Sequence, residues 1–424
     1  MFELFFVVNG FPQDDLLCLY YCSFSKIFYF WQFKLLADTM KNYTGSITSK
    51  LPKQETSIFA VMSGLANECG AINLSQGFPD FPISGKLIEL VNNYMKKGFN
   101  QYAPMPGVME LREQIALKVE ATCGAKYDPQ TEINITAGAT QAIFTVISAL
   151  VRDGDEVIIF EPAYDSYAPA IKLNGGMVKY AQLKTPDYSI DWQEVKKLVT
   201  SRTKMIIVNS PHNPTGSVLS ANDLKTLDKL TRNTDIIVLS DEVYEHLIYD
   251  KIRHESVCLY PELASRSFVI GSFGKTFHAT GWKTGFVLAP KSLMGEFRKA
   301  HQFVVFSGNT PIQHAIADFL KDENNYIHLN DFYQKKRDYF VDLIKGSRFK
   351  IIPSYGTYFQ LLDYSAISDE AELDFAIRIT KEKNLAAIPI SSFYHNKIDN
   401  KVLRFCFAKK EETLDLAAGI LNKI

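Results

Sequence analysis

Phe268-Val269-Ile270-Gly271-Ser272-Phe273-Gly274-Lys275-Thr276-Phe277 joins a short apolar run to a glycine-flanked turn that carries one lysine. A brief β-branched and aromatic run has the pattern of a strand buried on both faces. Lysine is mostly a surface residue, so one placed directly after a buried strand needs another reason to be there. The same pattern recurs upstream. Glu132-Ile133-Asn134-Ile135-Thr136 leads into Gly138-Ala139-Thr140, and Val157-Ile158-Ile159-Phe160 into Glu161-Pro162-Ala163-Tyr164. Met205-Ile206-Ile207-Val208 leads into Asn209-Ser210-Pro211-His212-Asn213-Pro214-Thr215-Gly216, and Ile236-Ile237-Val238-Leu239 into Ser240-Asp241-Glu242-Val243-Tyr244. A further run, Gly285-Phe286-Val287-Leu288, follows the lysine. Helical spacing occupies Leu87 to Tyr94, Val108 to Glu120 and the stretch from Gly138 through Leu150. Strands alternating with helices imply right-handed crossovers and an α/β fold: a large domain with a mainly parallel sheet flanked by helices. Ligands of such sheets bind beyond the carboxyl ends of the strands, so five loops are expected to share one rim.

The chain has 424 residues, which suits two domains better than one. Its last hundred residues change to long polar helices and a few short strands, such as Val402 to Phe407, and predict a smaller α+β domain. The expected division is an atypical extension over 1–39, a segment over 40–83 that joins the smaller domain, a large ligand-binding domain over 84–315 and a small C-terminal domain over 316–424. Lysine plus arginine (46) nearly equals aspartate plus glutamate (47). That balance provides no strong field for nucleic acid or an anionic membrane, and favours a small-molecule partner. Cys18, Cys22, Cys69, Cys123, Cys258 and Cys406 are scattered without C-x-x-C pairing, which predicts reduced thiols, no metal site and a cytoplasmic protein.

Four separated motifs carry a resemblance: Asn213-Pro214-Thr215-Gly216, Asp241-Glu242-Val243-Tyr244, Ser272-Phe273-Gly274-Lys275-Thr276-Phe277 and Arg404-Phe405-Cys406-Phe407. In that order, from about Ile47 to the C-terminus, the chain resembles the aspartate-aminotransferase superfamily of pyridoxal-phosphate enzymes, fold type I. Asn73-Leu74-Ser75-Gln76-Gly77-Phe78-Pro79-Asp80-Phe81 and Gly281-Trp282-Lys283 are similar to its kynurenine/glutamine and bacterial methionine aminotransferase branch. The resemblance implies a cytoplasmic homodimer with shared active sites, which moves the amino group of methionine, glutamine or an aromatic amino acid to a 2-oxo acid by a ping-pong route.

The resemblance also implies roles. Lys275 would hold the cofactor through its aldehyde and then, as a free amine, move the substrate proton, which requires a lowered pKa. Asp241 would keep the pyridine nitrogen protonated so that the ring accepts electrons. Tyr244 and Asn213 would donate to the ring phenolate oxygen, and Tyr164 would stack on the ring, against the plainer reading of a core aromatic. Ala139 and Thr140 open a helix whose free N–H groups suit a phosphate, joined there by the Ser272 hydroxyl and the Lys283 charge. Arg404 would clamp the substrate carboxylate with two parallel bonds, where Gly77 lets the backbone approach closely. Tyr102 would reach into a partner subunit's site, and Phe306 would line the side-chain pocket there.

Rival readings fail on spacing. A nucleotide-binding loop ending in Gly274-Lys275-Thr276 needs glycine at 269, where valine stands. Ser272-Phe273-Gly274-Lys275 and Lys283-Thr284-Gly285 match the elements of a serine acyl-enzyme, but they lie too close in sequence to oppose each other. Two alternatives stay open: β-elimination from cysteine conjugates on the same cofactor, and a non-enzymatic regulator with an aminotransferase-like domain. The latter is disfavoured because the extra residues are apolar and aromatic, with few basic groups for phosphates.

Residues 1–39 fit no ordinary leader. Glu3 comes early, Asn9-Gly10-Phe11-Pro12-Gln13-Asp14-Asp15 interrupts the apolar text, and Ser23, Ser25, Lys26 and Gln32 break the run from Leu16 to Phe33. A membrane anchor, an interaction arm and a start assigned upstream of Met40 all compete, and the last fits best. A chain beginning at Met40 is expected to fold with full activity. Loss of cofactor binding on that truncation would show that the arm matters.

Overall fold

The computed structural model describes residues 43–424, so the expectation for residues 1–39 lies outside the described residues. Eight strands precede residue 300: β1 (Ile72–Asn73), β2 (Ile133–Thr136), β3 (Glu156–Glu161), β4 (Met177–Gln182), β5 (Thr203–Asn209), β6 (Ile237–Asp241), β7 (Ser267–Ser272) and β8 (Gly285–Leu288). Five follow: β9 (Lys350–Ile352), β10 (Phe359–Asp363), β11 (Leu385–Ala386), β12 (Ile388–Pro389) and β13 (Val402–Cys406). All lie in one unit spanning Lys53–Ile424.

The large sheet has seven strands in the order β2-β8-β7-β6-β5-β3-β4. It is parallel from β4 to β7, while β8 runs antiparallel to both β7 and β2. The apolar runs of β2, β3, β6, β7 and β8 are buried along their whole length, as strands covered on both faces must be. Enclosing each Val, Ile or Leu contributes about 1.5–3 kcal/mol. Strand β4 gave no sequence signal. It is a half-exposed edge, where Lys179, Tyr180 and Gln182 need no apolar alternation.

Register decides what meets at the rim. Asn209 pairs with Asp241, so the polar ends of β5 and β6 emerge together. The reversed β8 pairs Gly285 with both Ser272 and Thr136. The start of β8 therefore lies beside the ends of β7 and β2, and Lys283 reaches the same rim from the opposite chain direction.

A four-stranded antiparallel sheet, β12-β13-β10-β9, places Arg404 on an inner strand opposite Leu361 and Ile388. Strand β1 pairs in parallel with β11, and the Cys406 N–H donates to Leu74 O at 2.8 Å. These bonds lay Leu74–Gly77 alongside the end of β13. Among the described residues, no helix is long and apolar enough to cross a membrane.

Candidate active site

A cavity of about 150 Å³ opens at this rim. Its lining includes Ala139, Thr140, Tyr164, Asn213, Asp241, Tyr244, Ser272, Lys275 and Lys283, so all five loops expected at one rim contribute to it. One end suits an anion. The helix Ala139–Leu150 begins at Gly138, which has φ 81° and leaves the first N–H groups without a side-chain cap. A Cβ on Gly138 would lie 3.5 Å from Lys283 Nζ, so the ammonium stands over the open helix start. Ser272, buried at the end of β7, adds a hydroxyl.

The other end holds a carboxylate. Asp241 is buried, accepts from Tyr167 OH at 2.6 Å and from the Val243 N–H at 3.3 Å, and its pKa is pushed up to about 6, chiefly by burial. A carboxylate enclosed this way, with no cation in hydrogen-bond contact, suits a cationic ring nitrogen. Asn209 braces the group: its Nδ2 donates to Asp241 O at 2.8 Å and its Oδ1 accepts from the Asn213 N–H at 2.9 Å. Tyr244 is buried next to them, and burial raises its pKa. It therefore stays a neutral phenol able to donate. Tyr164 reaches Thr140, with the two hydroxyl oxygens 3.4 Å apart. The residues present fit pyridoxal phosphate: an anion cradle, a buried carboxylate and a lysine share one cavity.

Lys275 Nζ donates to Tyr358 OH at 2.7 Å and to Gly77 O at 3.2 Å. Burial is the main cause of a pKa lowered to about 8, with Arg404 and Lys283 adding to the fall and Cys406 and Asp241 opposing it. A lowered lysine pKa means that the reactive neutral amine appears above that value. In the cofactor-free protein, acylation of Lys275 is expected to reach half its maximal rate near pH 8. Ordinary lysines should do so near pH 10.4. Peptide mass spectrometry after timed labelling reads both, and a Lys275 midpoint above pH 10 would contradict the buried setting.

Arg404 is fully enclosed. Its Nη1 donates to Asn213 Oδ1 at 2.7 Å and its Nη2 to Ser75 O at 3.1 Å, while Nε is buried with no partner. The guanidinium lies 3.8 Å from the Phe359 ring centroid, with Phe59 and Phe393 at 5.2 and 5.3 Å. Burial lowers its pKa to about 10, so it keeps its charge at neutral pH. Among the described residues no carboxylate pairs with this buried guanidinium, which suits it to receive an anion. Gly77 stands close by, where a Cβ would come 2.8 Å from Phe359 Cζ, so only glycine fits without a shift.

Tyr102 and Phe306 do not enter this cavity. Tyr102 is 84% exposed and meets Phe306 edge-to-face at 5.5 Å. Several residues of the site escaped the sequence reading: Tyr167, Asn209, Tyr358 and the aromatic box of Phe59, Phe359 and Phe393. Tyr167 opens the helix Tyr167–Leu173 three residues after Tyr164, and that spacing was the one local hint. Tyr358 and the box residues reach the site only through long-range packing.

A family model described as aminotransferase class I and II matches residues 70–421. The chain is 48% identical over 377 residues to the methionine aminotransferase of Escherichia coli, covering 89% of this chain and 98% of that one. It is 34% identical over 394 residues to kynurenine–oxoglutarate transaminase 1 of Homo sapiens, covering 85% and 93%. The crystal structure of YbdL from Escherichia coli, described as having a methionine aminotransferase function, superposes with a TM-score of 0.87 at 47% identity, covering 90% of this chain and all of that one.

Proposed function

Because this chain belongs to the class I and II aminotransferases, a pyridoxal-phosphate-dependent family, we propose that its amino donors are methionine, glutamine or aromatic amino acids. Transamination between an amino acid and a 2-oxo acid is the family's reaction. One observation carries the choice of donor. Among the described residues, the cations lining the cavity are Lys275 and Lys283, and Arg404 is the one guanidinium bonded to a lining residue. With Lys275 and Lys283 given to the cofactor, Arg404 serves the α-carboxylate, and no further arginine among the described residues of the same subunit lines the cavity to serve a second one. A neutral side chain fits, and the methionine aminotransferase named above supports the same reading.

When bound, pyridoxal phosphate supplies an electron-accepting ring that draws charge from the substrate α-carbon. Lys283, Ser272 and the N–H groups of Ala139 and Thr140 would hold its phosphate. Asp241, kept in place by Tyr167 and Asn209, would serve the ring nitrogen, and Tyr244 and Asn213 would donate to the ring oxygen. Arg404 and the backbone at Gly77 orient the carboxylate so that the α-C–H points at Lys275 Nζ. Lys275 Nζ then takes that proton. Two half-reactions in turn give parallel initial-rate lines. Residues 84–315 serve as the cofactor-binding domain, with 316–424 as the smaller domain, and the enzyme works as a cytoplasmic homodimer. The exposure of Tyr102 and its packing on Phe306 support a shared site.

Product chromatography with a panel of amino donors and several 2-oxo acids tests the reading. Methionine should yield its 2-oxo acid only when an acceptor is present. Aspartate or glutamate as the best donor would overturn the neutral-pocket assignment. Pyruvate, ammonia and thiol from cysteine conjugates without an acceptor would identify β-elimination instead.

A further inference from the structure

We propose that Tyr358 is a positioning residue for the catalytic amine: its hydroxyl, locked onto Gly77 O, holds Lys275 Nζ whenever that amine is not bonded to the cofactor. The inference rests on Lys275 being the cofactor lysine. An amine that must take a proton from a carbon and pass it on is effective only while its lone pair is held in line. A four-carbon lysine stem does not provide this by itself, because it carries about 2 kcal/mol of rotamer entropy.

The structure supplies the restraint. Tyr358 has no solvent exposure. Its ring meets Tyr244 edge-to-face at 5.1 Å, Phe359 at 4.9 Å and Tyr333 at 5.9 Å, so it has no room to turn away. Its carbonyl accepts from the Phe407 N–H at 3.0 Å, which ties the backbone to the end of β13. The single hydroxyl proton is donated to Gly77 O. That donation leaves the oxygen lone pairs as the acceptor for Lys275 Nζ, 2.7 Å away. The amine bonds to Gly77 O as well, so amine, phenol and carbonyl form a closed triangle. Gly77 belongs to the same backbone segment as Ser75, whose carbonyl accepts from Arg404. The triangle therefore sets the amine in a fixed relation to the guanidinium that orients the substrate.

Tyr358 also acts on the charge of the amine. Two acceptor oxygens stabilise the ammonium form more than the neutral one, and so oppose the lowering caused by burial. Removing the hydroxyl should shift the Lys275 pKa further down and leave the amine loosely placed.

The test compares wild type with Tyr358→Phe. In the cofactor-free protein, the pH midpoint for acylation of Lys275 should fall below the wild-type value. In the holoenzyme, kcat with methionine should drop about 10- to 100-fold, less than the roughly 10²- to 10⁴-fold of a proton-transfer group itself, because the amine remains and only its placement is lost. KM should change less than about twofold, since the carboxylate clamp is untouched. The primary isotope effect with α-deuterated methionine should rise, because proton transfer becomes slower relative to the other steps. Tyr333→Phe removes a hydroxyl from the same aromatic cluster, one that bonds His278 Nδ1 at 2.9 Å. It should leave the midpoint and the isotope effect unchanged. If Tyr358→Phe does not fold, para-aminophenylalanine at 358 replaces it, keeping the shape and a donor to Gly77 O but offering a poor acceptor. An unchanged midpoint together with an unchanged isotope effect would overturn the proposal. Cofactor absorbance that survives Lys275→Ala would instead overturn the reading on which it rests.

Discussion

Lys275→Ala is expected to give a folded protein that shows no turnover and lacks the visible absorbance of the lysine-bound cofactor. Lys275 lines the same cavity as the anion cradle at Gly138–Thr140 and the Asp241 carboxylate, and its amine is held by Tyr358 OH and Gly77 O. Its stem lies in a buried setting, so shortening it leaves space but no unpaired charge. Stability should change little or rise slightly, because a lysine with a lowered pKa costs energy to enclose below that pKa. Activity should fall by about 10⁴-fold or more, since the proton-transfer group and the covalent anchor disappear together. The experiment reads initial rates and the absorbance spectrum of the reconstituted variant. Retention of either the rate or the spectrum would sink the assignment of Lys275.

The second large effect is expected from Arg404→Ala. Removing one partner of a buried, hydrogen-bonded charge pair typically costs about 2–5 kcal/mol, or about 30- to 5,000-fold in kcat/KM. The loss should appear in both KM and kcat, because the guanidinium binds the carboxylate and also sets the direction of the α-C–H bond. Arg404→Lys should fall between the two proteins, since it keeps the charge but loses the planar fork that stacks on Phe359. The cofactor spectrum should persist in both variants, which separates this effect from that of Lys275. Unchanged efficiency in Arg404→Ala would remove the carboxylate clamp from the mechanism.

Much of this site was legible because its pieces are local. Asp241 closes β6, Ser272 closes β7, and Lys275 lies in the helical turn Phe273–Thr276 that follows β7 directly. An apolar run followed by polar residues reveals a strand and its loop together. The antiparallel edge was not legible. Gly285–Leu288 has the composition of any buried strand, and only pairing with β7 and β2 reveals its direction. Strand β4 was missed for the converse reason, since an edge strand does not need an apolar pattern. The N–H groups of Ala139 and Thr140 could be assigned to a phosphate from the helix start alone, but the Lys283 ammonium beside them depended on the reversal of β8.

Tyr358 and the box around Arg404 mark the boundary. The Lys275–Tyr358 bond spans 83 residues, and the Arg404–Ser75 bond spans 329. No periodicity or motif spacing encodes contacts at that range. The amino-acid sequence by itself determined the α/β class, the loops that meet at one rim and the residue types available there for a cofactor. The tertiary structure alone decided which tyrosine holds the amine, which carbonyls hold the guanidinium and which aromatics enclose it. Strand identity is written in local hydrophobic pattern, whereas these partnerships depend on sheet register and on how the Leu74–Gly77 segment lies along β13.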